Sequence, residues 1–264
     1  MKVGLLALAR RDHDSPCRDG AKAVLAAIKT APDLDLLLCG GWTLRNDREL
    51  ERVRRASVGR QTEIVLEVLQ KQPPARPQGY AVGAISHQNV RVCDGQIYDM
   101  GFQAFGRSGE VATPEACAQR TGWLADQLDR RVFAVADRQC LLLTCGEIMT
   151  LVCPRQGNHL GPAEYRPGVD PRLIAAIAAA DVILNPTHDI MSPQGGLYAK
   201  RQFLAERAGA YLSVSNWNEA KGQKAVFSGA FQVWLRDDAC KNQSAGRAIN
   251  VVPDRGILSI SRIF

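Results

Sequence analysis

One apolar segment presents a cysteine in a setting that suits nucleophilic catalysis. Gln139–Met149 reads QCLLLTCGEIM, with a strand predicted over Cys140–Thr144 and Cys145 directly after it. Gly146 favours a tight turn, and Glu147 is the acid that complements the dipole in the first turn of a helix. Backbone N–H groups at a helix N-terminus lower thiol pKa values and can bind an oxyanion. We therefore predict that Cys145 is a catalytic nucleophile, and a buried cysteine at a strand end is the alternative.

Three further groups of small or polar residues follow predicted buried strands. They are Gly40, Gly41 and Trp42 after Leu34–Cys39, Asn185 to His188 after Asp181–Leu184, and Asn216 after Ala210–Ser215. Ligands of open α/β sheets collect at the carboxyl ends of strands, so we expect these groups to line one pocket with Cys145. His188 is then a candidate catalytic base, and a structural or solvated loop histidine is its alternative.

The order of predicted elements indicates an α/β protein with mixed sheets, and we expect one domain over residues 1–264. Asp94-Gly95 predicts a hairpin turn between two short strands. Asp47–Lys71 is interpreted as one long helix, because its apolar residues lie near helical spacing. Additional strands are predicted at Tyr80–Ser86 and, towards the C-terminus, at Ala225–Phe227.

Composition narrows the class of protein and argues against several kinds of partner. The chain is 46% hydrophobic and 23% charged, and its net charge of +6 comes from arginines spread along the sequence. This pattern predicts neither a nucleic-acid site nor a membrane segment. The eight cysteines form no CxxC pair, and the sequence has no phosphate-binding loop or dinucleotide fingerprint, so we expect no metal and no cofactor. A cytoplasmic protein with reduced thiols is the expectation.

The chain resembles the carbon–nitrogen hydrolase (nitrilase-like) superfamily over most of its length. The strongest similarity is the apolar strand followed by Cys145, any residue and an acid. Other matching segments occur in the family's order, at Leu34–Cys39, Asp94-Gly95, Asp181–Pro186, and Arg207-Ala208 with the strand that ends at Asn216. The resemblance implies a four-layer α-β-β-α sandwich, often dimerised through a helical layer, with Cys145 as the nucleophile of an amidase.

The resemblance also assigns the partners of that nucleophile. In the family a cysteine thiolate attacks an amide or nitrile carbon, a glutamate acts as general base, a lysine stabilises the oxyanion and a second glutamate supports the site. The general-base position falls on Gly41 and the lysine position on Gln103, while Glu110 corresponds to the second glutamate. No lysine occurs between Lys71 and Lys200, so no local shift of the alignment restores one.

These departures lead to two hypotheses for function. In the first, the chain is a thiol-dependent hydrolase of a small amide or related C–N bond, with His188 or Glu110 replacing the missing base. In the second, it is an inactive family member that binds a small molecule or a protein partner. For either, we expect contacts to the bound molecule from Gln103, Glu147, Gly41, Trp42 and Asn185. A redox role of Cys145 is a third hypothesis.

Overall fold

Two mixed β-sheets form the centre of the fold. The computed structural model describes residues 1–10, 17, 20–69, 87–188, 195–218, 230–236, 247–252 and 256–264. The strands predicted at Tyr80–Ser86 and Ala225–Phe227 lie outside these residues.

The described strands follow the chain in this order. They are β1 (Lys2–Arg10), β2 (Leu36–Cys39), β3 (Glu63–Leu69), β4 (His87–Cys93), β5 (Gln96–Phe102), β6 (Val132–Val135), β7 (Arg138–Leu142), β8 (Leu151–Val152), β9 (Arg155–Gln156), β10 (His159–Leu160), β11 (Glu164–Tyr165), β12 (Val182–Thr187), β13 (Ala210–Ser215), β14 (Trp217–Asn218), β15 (Phe231–Leu235), β16 (Arg247–Val252) and β17 (Gly256–Arg262).

The described helices lie between these strands along the chain, and two of them start with a side-chain cap and a proline. They are α1 (Gly20–Thr30), α2 (Asp47–Ala56), α3 (Pro114–Ala125), α4 (Leu128–Arg131), α5 (Pro171–Ala179) and α6 (Gly195–Ala208), with 3-10 helices at Ser108–Val111 and Cys145–Thr150. Thr113 caps α3 by accepting the Ala116 N–H, and Asp170 caps α5 by accepting the Arg172 N–H. A proline occupies the first turn of both helices, where it costs no hydrogen bond.

Strand pairing gives each sheet a parallel centre and antiparallel edges. The first sheet has the order β16-β17-β1-β2-β3-β4-β5, and the second has the order β15-β13-β12-β7-β6. In the first, β1, β2 and β3 are parallel; in the second, β7, β12 and β13 are parallel. The predicted hairpin turn is confirmed, because Asp94 and Gly95 both have positive φ angles between β4 and β5.

Successive side chains of the central strands point to opposite faces of each sheet, and this gives three buried apolar layers. Leu5, Leu38 and Leu212 point between the sheets, where both sheets contribute to one buried cluster. Leu37 faces the layer that contains α1 and α2. Ile183 faces the layer that contains α3, α5 and α6. Because both faces of each central strand are covered, the strands are apolar throughout, and the architecture is the expected four-layer α-β-β-α sandwich.

Two predicted elements differ from the structure. The predicted helix Asp47–Lys71 is wrong, because α2 ends at Ala56 and Glu63–Leu69 is the strand β3, parallel to β2. The helix expected after Cys145 is a six-residue 3-10 helix instead of an α-helix. None of the helices in the described residues is long and apolar enough to cross a membrane.

Candidate active site

The turn after β7 places Cys145 at the carboxyl end of the second sheet. Cys145 has a φ of 37°, in the left-handed region that residues other than glycine rarely occupy, and its side chain is partly exposed. Such strain persists only where surrounding contacts hold it, and it is concentrated at functional sites. The turn therefore holds a partly exposed cysteine in a conformation that surrounding contacts must maintain.

Asn185 binds the backbone of this turn. It is fully buried in β12, and its Nδ2 donates to the carbonyl oxygens of Leu143 at 2.5 Å and Cys145 at 3.2 Å. Its Oδ1 accepts the Tyr211 hydroxyl at 2.7 Å. The contact of Asn185 with a bound molecule stays a prediction, and the observed bonds of its buried amide connect the Cys145 turn to β13.

A buried ion pair also contacts the turn. Glu147 and Arg131 are both fully buried, and Nη1 of Arg131 lies 2.6 Å from Oε2 of Glu147. The Glu147 carboxylate also accepts the N–H groups of Thr144 and Ala104, each at 2.6 Å. The contact of Glu147 with a bound molecule likewise stays a prediction, and its side chain has no accessible surface in this structure. Glu147 connects the residue before Cys145 to the loop that follows β5.

The loop after β5 packs directly on this turn. A Cβ atom at Gly146 would lie 2.2 Å from the carbonyl oxygen of Gly106, so only glycine fits there. Gln103 is in the same loop, and its Nε2 donates to the Phe105 carbonyl at 2.8 Å. Glu110 accepts the N–H groups of Gly106 at 3.2 Å and Arg107 at 3.0 Å. The described bonds of Gln103 and Glu110 therefore organise this loop.

His188 joins Cys145 to an acid from the other sheet. It directly follows β12, its side chain forms a hydrogen bond with that of Cys145, and its Nε2 lies 3.0 Å from Oε2 of Glu67 in β3. Burial lowers the pKa of His188, but the charges of Glu67 and Cys145 outweigh burial and raise this pKa to about 10. The imidazole is therefore protonated at neutral pH.

Gly41 and Trp42 enclose the imidazole from the end of β2. A Cβ atom at position 41 would lie 2.2 Å from Cδ2 of His188, so the ring fills the space beside the glycine. The Trp42 ring stacks on His188 with centroids 4.4 Å apart and planes 23° apart. The Gly41 N–H donates to the Thr187 carbonyl at 2.9 Å, which joins the ends of β2 and β12.

The structure thus brings together four of the eight residues that the sequence singled out for the site. His188, after β12, contacts Cys145, Gly41 and Trp42, which follow β7 and β2. Glu67 is the residue that the sequence interpretation missed, because β3 was taken for a helix. The available signal was the run Glu63–Leu69, which alternates little and is apolar at five of seven positions.

Comparison with solved structures finds this architecture in amidases. An amidase from Nesterenkonia sp. AN1, shown with acrylamide added to its active-site cysteine, matches at a TM-score of 0.52 and 13% identity, over 98% of this chain and 92% of the amidase. A second structure of that amidase, described as a member of the nitrilase superfamily, matches at a TM-score of 0.51 and 12% identity, over 98% and 90% of the two chains.

A larger enzyme contains the same fold as one part. A glutamine-dependent NAD(+) synthetase from Cytophaga hutchinsonii matches at a TM-score of 0.53 and 12% identity, over 99% of this chain but only 42% of the synthetase. No protein-family model matches the sequence, and no curated protein matches it. At such low identity the similarity is one of fold. The chain has the nitrilase-like α-β-β-α fold, and the Cys145–His188 pair lies at the carboxyl ends of its central strands.

Proposed function

We propose that the chain is a thiol-dependent hydrolase that cleaves a carbon–nitrogen bond in a small amide or related compound. The observation that carries this proposal is the hydrogen bond between Cys145 and His188 on a strained turn at the strand ends. The fold shared with nitrilase-superfamily amidases supports the reaction class. Cys145 is the proposed nucleophile, and His188 is the proposed proton donor and acceptor.

The first step is attack by sulfur. His188 is hydrogen-bonded to the Cys145 side chain, and the thiolate is the form of a cysteine that acts as a nucleophile. The thiolate forms a bond to the carbonyl carbon of the amide, and the carbonyl π electrons move to the oxygen. The resulting tetrahedral oxyanion forms beside the imidazolium, which is a positive group in the position to stabilise it.

The remaining steps return the proton that His188 supplies. When the C–N bond breaks, His188 donates its proton to the departing nitrogen, which leaves as an amine or ammonia, and a thioester remains on Cys145. Neutral His188 then accepts a proton from water as that water attacks the thioester. The thiolate leaves, the acid product is released, and the thiolate–imidazolium pair is restored.

The missing lysine sets an expectation for the rate. Gln103 stands at the position that the family resemblance assigns to lysine, and its amide carries no charge. Loss of one oxyanion donor costs about 100-fold or more in rate, so we expect a slow enzyme. The same loss also favours the second candidate function, a ligand-binding protein without turnover.

Thiol labelling as a function of pH tests the proposed nucleophile. We expect iodoacetamide to alkylate Cys145 faster than the other seven cysteines below pH 7, with the modified residue identified by mass spectrometry. His188→Gln should remove this selectivity, because the imidazolium is lost. His159→Gln, at an exposed residue of β10, is the matched control and should change nothing.

Two outcomes decide between the candidates. If wild-type Cys145 reacts no faster than the other cysteines, the hydrolase proposal is overturned. If Cys145 reacts selectively and the protein releases ammonia from small aliphatic amides, while Cys145→Ser does not, the hydrolase proposal is supported. Selective labelling with no release of ammonia from any tested amide supports the binding protein.

A further inference from the structure

We propose that Glu67 is a positioning residue that orients and charges His188, and that this carboxylate acts on Cys145 through the imidazole instead of directly from position 41. The inference rests on the proposed function, because it concerns the group that exchanges protons with Cys145. It assigns a role to a residue that the family resemblance does not mark.

The carboxylate of Glu67 is held in a fixed place. Its side chain is only 2% exposed, and Oε2 accepts the Trp42 N–H at 2.9 Å while lying 3.0 Å from Nε2 of His188. The backbone of Glu67 is anchored as well, because its carbonyl accepts the Leu44 N–H at 2.8 Å. A carboxylate buried to this extent is costly unless it is paired and hydrogen-bonded, and His188 supplies the opposite charge.

The imidazole fits between two residues that follow β2. The absence of a side chain at Gly41 leaves room for the ring edge, since a Cβ atom there would lie 2.2 Å from Cδ2 and 3.0 Å from Nε2. Trp42 covers the ring face, and Trp42 itself has a φ of 58°. Two consecutive residues with demanding geometry therefore serve one side chain, which indicates that the position of the ring is under constraint.

The contacts assign a direction to the imidazole. Nε2 faces Glu67, and the same ring is hydrogen-bonded to the Cys145 side chain. Among the described residues, the titratable groups that face His188 are Glu67 from β3 and Cys145 from the turn after β7. Gly41 and Trp42, from the end of β2, contribute no charge. Cysteine and serine hydrolases also contain a carboxylate, an imidazole and a nucleophile in this order.

Glu67→Gln tests the assignment, with Glu63→Gln as the matched control. Both residues lie on β3 and both form an ion pair, but Glu63 pairs with Arg91 at 2.9 Å. We expect Glu67→Gln to lower the pKa of His188 by about one unit or more, which corresponds to a tenfold change in proton affinity. NMR of the labelled imidazole measures this pKa. Alkylation of Cys145 below pH 7 should slow by about tenfold, because an imidazole that the carboxylate no longer holds in place stabilises the thiolate less well. Glu63→Gln should leave both readouts unchanged.

The two readouts separate failure of this inference from failure of the proposed function. If Cys145 is selectively alkylated in the wild type and Glu67→Gln changes neither readout, the role of Glu67 is overturned while the hydrolase proposal stands. If Cys145 is unreactive but Glu67→Gln still lowers the His188 pKa, the placement of Glu67 is supported and the hydrolase proposal fails. Should Glu67→Gln fail to fold, a wild-type His188 pKa at or below the ordinary value of 6.5 overturns the inference by itself.

Discussion

The imidazole of His188 occupies the volume that a side chain at position 41 would need. The separation of 2.2 Å between a Cβ atom there and Cδ2 of His188 is far inside van der Waals contact. Neither the ring nor the backbone can move easily, because the ring is stacked on Trp42 and the Gly41 N–H is bonded to Thr187. A side chain at position 41 and the histidine ring are thus alternatives for the same space.

A double-mutant cycle measures this exclusion. We expect Gly41→Ala to lower the free energy of unfolding by about 1–3 kcal/mol, because the added methyl group overlaps the imidazole. In a His188→Ala background, Gly41→Ala should lower the free energy of unfolding much less. Urea denaturation of the wild type, the two single variants and the double variant measures the cost of Gly41→Ala with and without the imidazole. Gly109→Ala is the control, because a Cβ atom at Gly109 meets nothing within 4 Å. Equal costs in the two backgrounds would show that the overlap does not determine the choice of glycine.

The 3-10 helix Cys145–Thr150 depends on polar contacts made beneath it. Glu147 and Arg131 form a pair with no exposed surface, and the Glu147 carboxylate accepts the N–H groups of Thr144, before the turn, and of Ala104, in the loop after β5. Breaking one half of such a pair leaves an uncompensated buried charge, which is more costly than removing both halves.

Glu147→Gln tests how far the reactive turn depends on this pair. We expect a loss of about 3–5 kcal/mol in the free energy of unfolding, because the Arg131 guanidinium remains buried without a counter-charge. Selective alkylation of Cys145 should be lost as well, since the Thr144 N–H no longer has a carboxylate partner. Glu164→Gln, at an exposed glutamate in β11, provides the comparison. Unchanged stability and unchanged labelling in Glu147→Gln would contradict this account.

The sequence was informative where local chemistry determines structure. The Asp94-Gly95 turn and the strand ending near Cys145 follow from short-range rules, and the structure confirms them. Glu63–Leu69 was interpreted incorrectly, because its apolar residues fit helical spacing and a strand covered on both faces shows no alternation. That error hid Glu67, whose partner lies 121 positions away along the chain.

The two sheets build the candidate site jointly. Glu67, Gly41 and Trp42 come from the first sheet, whereas Cys145 and His188 come from the second. The pair Glu67–His188 therefore crosses the interface between the sheets, so its electrostatics contribute to the stability of the whole sandwich.

The pH dependence of unfolding reports this contribution. The pKa of His188 is raised from 6.5 to about 10 in the folded protein, so between these values the folded state binds more protons than the unfolded state. The stabilisation is fully present below pH 6.5 and is lost as pH rises through about 10. We expect the wild-type advantage in unfolding free energy over His188→Gln to shrink by on the order of 1 kcal/mol per pH unit in this range. Urea denaturation at several pH values measures it, and an advantage that is constant with pH would contradict the ion pair.

Mutual exclusion between positions 41 and 188 also constrains which substitutions the site can accept. A glutamate at 41 and a histidine ring in the place observed here would need the same volume, so a chain can carry one of them but not both. Exchanging one for the other therefore takes two substitutions, and a chain with only one of the two changes has either a steric clash or an empty space at these strand ends. Variants of this site are accordingly best designed with positions 41, 67 and 188 treated as one combination.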